Sequence, residues 1–252
     1  MMVPHSVVTV SLATAILPRI SAFARDEQLD RLGETVGSTM RTALAFVLPF
    51  GVLLPIVADD VALAVFGWGR AGAQQADRFG PTIAVFAAGL VFFTVHYFML
   101  RGFYAMEMIK RVFFIQLAVS ATNVAVALVL VPMRPDSETA PMLATAYLSS
   151  YVVGSAVSFA LLSRQVGWLE GARLVRFAVR MALVLAVAGL VTWGCALGLR
   201  ELLPGTHPLL GLARGGLAGL AGCVVVLAGT RLLRVREVTS LIDTVVARMR
   251  RG

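Results

Sequence analysis

The chain has 252 residues, 58% of them hydrophobic and only 14% charged, with a formal net charge of +8 and a mean hydropathy of +0.84. A soluble domain carries about 25% charged residues and a disordered chain needs low hydrophobicity with high charge, so both classes are excluded and a membrane protein remains. Crossing a ~30 Å hydrocarbon core takes ~20 apolar residues per helix, so seven crossings use ~140 residues and leave no room for a sizeable soluble domain.

In chain order, seven apolar stretches cover residues 3–23 (A), 42–61 (B), 79–99 (C), 112–132 (D), 142–162 (E), 177–199 (F) and 209–232 (G). Their only acidic residues are Asp59 and Asp60, at the end of B. Barrel strands would be short and alternate in polarity, whereas a helix satisfies its backbone groups within one segment. The predicted fold is therefore all-α and polytopic, with seven transmembrane helices. Alternating sides places 17 of the 22 basic residues with the A–B, C–D and E–F loops and the C-terminal tail, and leaves Arg70, Arg78, Arg134, Arg200 and Arg214 opposite. The positive-inside rule then predicts a cytoplasmic C-terminus and an external N-terminus. It also accounts for a pI near 10.7 without a nucleic acid partner. Cys195 and Cys223 lie in apolar stretches with no metal spacing and read as packing residues.

Polar residues at membrane depth are where a membrane protein keeps its function. Segment A carries Ser6, Thr9, Ser11 and Thr14 ahead of Pro18 and Arg19. At 100° per residue the first two face one way and the second two nearly opposite, which suits a helix lying between other helices and lining a cavity. In D, Gln116, Ser120 and Asn123 form one stripe at i, i+4 and i+7. In E, Tyr147, Ser150, Tyr151, Gly154 and Ser158 share a side. Either stripe reads as a cavity wall or as interhelical hydrogen bonding, and the second is the simpler reading. In G, Gly211, Gly215, Gly219 and Gly222 repeat at helix-packing spacing. A lone His96 in C reads as hydrogen-bonded to a neighbouring helix. No catalytic constellation, metal spacing or cofactor motif is present, so the sequence does not predict an enzyme. The tail, residues 234–252, places Val238, Leu241, Ile242, Val245 and Val246 at helical spacing before three arginines; it reads as a basic amphipathic surface helix or a frayed end.

An external N-terminus poses a difficulty, since residues 1–6 offer nothing to drive segment A across the bilayer. An odd number of preceding spans would deliver it, so the chain is expected to be the C-terminal part of something larger. Three passages carry a family resemblance. One is the run from Pro4 to Ser21, ending Thr14-Ala15-Ile16-Leu17-Pro18-Arg19-Ile20-Ser21. Another is Leu100-Arg101-Gly102-Phe103-Tyr104-Ala105-Met106-Glu107. The third is the B region, Leu48-Pro49 through Phe66-Gly67. In order and spacing they resemble the MurJ/MviN family of the MOP exporter superfamily. After Glu107 the chain departs from the family's usual Thr-Pro continuation, reading Met108-Ile109-Lys110-Arg111-Val112.

The resemblance implies that the seven spans are the eighth to fourteenth of a fourteen-helix lipid II flippase of the bacterial inner membrane, working by alternating access in cell-wall synthesis. It implies a division into five spans of the C-lobe (1–163), two terminal helices forming a groove for the polyprenyl tail (164–233) and the tail (234–252). It also implies as partners a polyprenyl-pyrophosphate-linked glycan, membrane lipids and an absent N-terminal lobe. The family's essential arginines lie outside this chain, so none carries over. Other readings are an exporter of a different polyprenyl-linked sugar and a non-transporting membrane scaffold; a lipid-modifying enzyme would need acids or histidines clustered at a membrane face.

Overall fold

The structure is a computed structural model that describes residues 9–69, 72–167, 169 and 171–235. Among these residues there are eight α-helices and no strand: α1 (Ser11–Arg25), α2 (Leu29–Ile56), α3 (Ala58–Phe66), α4 (Gly72–Ala105), α5 (Ile109–Leu130), α6 (Thr139–Val166), α7 (Gly171–Leu202) and α8 (Pro208–Leu232). Six of them, α2 and α4 to α8, are long and apolar enough to cross a bilayer. Segment A corresponds to α1, described as an α-helix of 15 residues from Ser11, and its first residues lie outside the described range. The amphipathic reading of the tail likewise falls on residues beyond Val235.

Segment B, read as one span, is instead two helices. α2 begins at Leu29, a full polar half earlier than its apolar run, and ends at Ile56; Val57 leaves helical geometry at φ −105°, ψ 14°, and α3 follows at once. Two features of the sequence explain the break. Pro55 has no N–H to donate and its ring crowds the preceding turn, and Asp59 and Asp60 fall in the first turn of α3, where the helix dipole favours negative charge.

The turns after α1 and α4 are the same structure used twice. Phe23-Ala24-Arg25-Asp26-Glu27-Gln28-Leu29 and Phe103-Tyr104-Ala105-Met106-Glu107-Met108-Ile109 stand 80 positions apart. In each, the Glu takes a left-handed backbone, with φ 56° at Glu27 and 57° at Glu107. In each, the residue after the Glu donates its N–H back to the Phe carbonyl, Gln28 to Phe23 and Met108 to Phe103, both at 2.9 Å. This is a Schellman-type stop without its usual glycine, and it lets α5 start at Ile109 with no need for the absent proline.

α4 is the centre. Phe98, Met99 and Phe103 in its second half are wholly buried, packed with Ile20 of α1, Leu32, Val36 and Met40 of α2, Leu162 of α6 and Met181 of α7. From it the neighbours run outward: α6 then α5 on one side, α2 then the α7–α8 pair on the other, with α3 wedged between α4 and α8. The outer faces of α5, α7 and α8 expose large apolar residues such as Phe113, Leu117, Leu128, Leu183, Leu190, Leu220 and Val224. That is a surface for lipid, since soluble proteins do not expose continuous apolar faces of this extent.

The glycines of α8 set how closely it packs. A side chain at Gly211 would meet the Asp60 carbonyl at 2.6 Å, and one at Gly215 would stand 3.2 Å from the Asp60 Cβ. At Gly222 it would collide with Thr192 Oγ1 and stand 3.0 Å from Leu53 Cδ1, whereas Gly219 faces open space. A strict four-residue repeat drifts around a helix of 3.6 residues per turn, so Gly219 leaves the face that Gly222 rejoins. Gly222→Ala is expected to lower stability by about 1–3 kcal/mol through overpacking, and Gly219→Ala to stay within about 0.5 kcal/mol of the parent. Reversible unfolding of the micelle-solubilised chain measures both, and equal losses would refute the assignment of the packed face.

Candidate functional site

Two polar centres lie inside the apolar bundle. The first is built on the α2–α3 break. Asp60 is 2% exposed, and its Oδ2 accepts from Arg200 Nε at 3.1 Å and Nη2 at 2.9 Å. Its Oδ1 lies 2.9 Å from Arg214 Nε. Arg214 also donates from Nη1 to the Leu203 carbonyl at 3.3 Å, and the exposed Asp59 stands 3.9 Å from Arg200 Nη2. Two acids and two arginines therefore balance, as charges taken from water must. The node ties α3 to the end of α7 and the start of α8.

The second centre joins α4, α5 and α6. His96, also 2% exposed, places Nδ1 3.2 Å from Ser158 Oγ and Nε2 2.9 Å from Gln116 Oε1, so one imidazole reaches both neighbouring helices. Gly154 makes this possible, for a Cβ there would meet Val119 Cγ2 at 2.6 Å and His96 Nδ1 at 3.3 Å. A run of rings follows the α4–α6 seam, Phe86 against Tyr147, Tyr147 against Tyr151, and Tyr151 edge-on to Phe93 and His96. At its end Arg101 donates to the Tyr97 hydroxyl and lies 4.6 Å over the Tyr97 ring, while its Nε is buried with no hydrogen-bond partner among the described residues. Phe93, His96, Tyr97, Arg101 and Tyr151, with Tyr104 and Gln116, line a cavity of 360 Å³ that has no carboxylate among its described lining residues. It is the best candidate site: a single cation, amide and phenol donors, and aromatic faces.

The residues singled out in the sequence divide between packed and open positions. Of the segment A set, Ser6 lies outside the described residues. Thr9 is wholly buried with its hydroxyl unpaired among the described residues. Ser11, Thr14 and Arg19 are exposed, Arg19 over the Phe23 ring at 5.5 Å. Of the D stripe, Gln116 bonds His96, Ser120 is exposed and Asn123 half-buried. The E stripe packs into the seam, with Ser150, Gly154 and Ser158 buried. Sequence reasoning missed the Asp60 node. Its partners are 140 and 154 positions away, and Arg214, counted with a loop, is buried within α8.

A model of the family described as lipid II flippase MurJ matches residues 1–212. This chain belongs to that family. It is 24% identical to a probable lipid II flippase MurJ of Rhizobium meliloti (strain 1021) over 184 residues, 73% of this chain and 34% of that relative. Against a probable lipid II flippase MurJ of Rhizobium tropici it is 24% identical over 133 residues, 53% of this chain and 25% of the relative. The chain thus spans about a third or less of the curated relatives it matches. It is a multi-pass membrane protein of a transporter family.

Removing one member of a buried ion pair strands its partner and costs about 3–5 kcal/mol, more than a surface pair can return. Asp60→Asn is expected to fall at the lower end of that range, because Arg200 is 37% exposed in its side chain. Asp59→Asn, whose carboxylate is 66% exposed, is expected to change stability by less than about 1 kcal/mol. Denaturation of the two variants side by side tests the ranking; a loss for Asp59→Asn as large as for Asp60→Asn would show that the node is not what holds α3 to α7 and α8.

Proposed function

We propose that the chain is one lobe of a lipid II flippase, carrying a polyprenyl-pyrophosphate-linked cell-wall precursor between leaflets by alternating access. In this reading two lobes rock about a site near the midplane, the second lobe lying on this or another polypeptide. The chain performs transport and breaks no bond. The observation that carries the reading is the family match over residues 1–212.

The open polar stripe of α1 supports it. Thr94, Thr122, Thr145, Thr192 and Thr230 each return their hydroxyl to the carbonyl four residues earlier, at 2.7–2.9 Å. This is how a hydroxyl is satisfied inside lipid. Ser11 and Thr14 are exposed, and Thr14 makes no such bond among the described residues. A stripe of that kind suits an aqueous, headgroup-holding cavity between lobes. Cationic and aromatic groups such as Arg101, Tyr97 and Tyr151 suit a phosphate-bearing glycan.

On the same reading residues 1–163 form the lobe body, 164–233 the pair that shelters the polyprenyl tail, and 234–252 a cytoplasmic surface tail, with the N-terminus external. The membrane is then the bacterial plasma membrane. Nothing observed favours a different polyprenyl-linked cargo or a pure scaffold over this cargo.

In cells depleted of their own flippase, this chain is expected to restore wall synthesis only when the N-terminal lobe of a full-length relative is co-expressed. Ser11→Leu with Thr14→Leu is expected to abolish that rescue while leaving membrane insertion intact. Rescue by residues 1–252 alone would overturn the two-lobe reading, and full rescue by the leucine pair would remove α1 from the cavity.

A further inference from the structure

A second groove, larger than the α4–α6 cavity, lies outside both polar centres, between the start of α5 and the end of α6. Its volume is 490 Å³, its floor Phe114, Ile115 and Leu161, and its rim Arg111, Arg164 and Gln165. Arg111, Phe114 and Ile115 share one face of α5 at i, i+3 and i+4, and Leu161, Arg164 and Gln165 share one face of α6. The two helices run antiparallel, so the arginines meet at one end of two spans, Ile109–Met133 and Thr139–Val166. Both arginines are exposed and neither makes an ion pair or hydrogen bond among the described residues. No acidic residue among the described residues lines the groove.

We propose that this groove binds the phosphate headgroup of an anionic phospholipid, with Arg111 and Arg164 as a two-armed clamp and an acyl chain along the apolar floor. An arginine at a membrane end already stands at phosphate depth, and its planar fork matches phosphate oxygens. The floor continues straight from the clamp into the hydrocarbon layer, which a free anion would leave empty and a lipid fills.

Affinity decides between possible lipids. Each interfacial arginine multiplies anionic-lipid occupancy about five-fold, so the pair gives a preference of about thirty-fold over a zwitterionic lipid. A preference of that size is filled by a bulk component of the bilayer and not by a scarce precursor. The site therefore answers to the charge of the surrounding leaflet, independently of the transported cargo; on the orientation proposed above that leaflet is the cytoplasmic one.

Native mass spectrometry of the purified chain, with phosphatidylglycerol and phosphatidylcholine of identical acyl chains in equal amounts, tests the site. The parent is expected to retain one phosphatidylglycerol in preference by about thirty-fold. Arg111→Gln and Arg164→Gln are each expected to reduce that about five-fold, and the double variant to bring it to parity. Arg111→Lys with Arg164→Lys, which keeps the charges, should hold most of the preference. Arg134→Gln, an exposed arginine beside Glu138 at the opposite end, should leave it unchanged. Undiminished preference in the double glutamine variant, displacement of the lipid by inorganic phosphate alone, or stronger retention of undecaprenyl phosphate at equal concentration would each overturn the proposal.

Discussion

In a medium that returns no hydrogen bonds, a carboxylate at 2% exposure dictates what surrounds it. Asp60 recruits Arg200 from the end of α7 and Arg214 from the start of α8, and glycines let α8 come close. Gly211 and Gly215 place the α8 backbone against the Asp60 carbonyl and Cβ, so Arg214 sits one turn away with its Nε at 2.9 Å from Oδ1. Close packing and charge pairing are here one device. The α2–α3 break belongs to it too, because only a new helix starting at Ala58 turns two acids toward a shared anchor. Remove the carboxylate and α7–α8 keep their contact with each other, but lose the group that fixes them to α3.

The second centre follows the same economy with neutral groups. His96 divides its two nitrogens between Ser158 and Gln116, and Tyr151 of the aromatic run stands edge-on to the imidazole. α5 meets the bundle mainly through α6, and most of its surface faces outward. One imidazole thus supplies much of the polar attachment of an otherwise apolar helix. Polar groups at depth are satisfied either locally, as in the threonines that bond back along their own helices, or across helices at these two nodes. Some buried polar atoms have no partner among the described residues, Thr9 Oγ1 and, at the α4–α6 cavity, Arg101 Nε among them. A guanidinium with one N–H left over among aromatic rings is a reasonable ligand group.

How much of this was legible follows from range. The spans were readable because hydropathy is local: C, E, F and G fall inside single long helices, and D runs only two residues past the end of α5. Segment B misled because apolar character continues across Val57 while the backbone does not; Asp59 and Asp60 were visible, but their meaning depends on Arg200 and Arg214, far along the chain. The glycine repeat was read at a period of four, and the true face keeps Gly222 and drops Gly219 because the helix period is 3.6. Gln116 was readable as an interhelical donor or acceptor, yet nothing in the sequence names His96 as its partner. The tandem Phe-x-x-x-Glu turns were present in plain text, but a left-handed Glu is invisible until the backbone is seen.

The open faces of the lobe are chemically unlike one another, and that difference bears on what the lobe meets. α7 and α8 turn out Leu183, Leu190, Leu212, Leu220 and Val224, a surface that acyl or polyprenyl chains solvate fully. α1 turns out Ser11, Thr14, Pro18 and Arg19, a polar face that hydrocarbon solvates poorly, Arg19 above all. A single environment cannot suit both faces. Lipid against one face and a more polar neighbour against the other is the arrangement that these two surfaces suit.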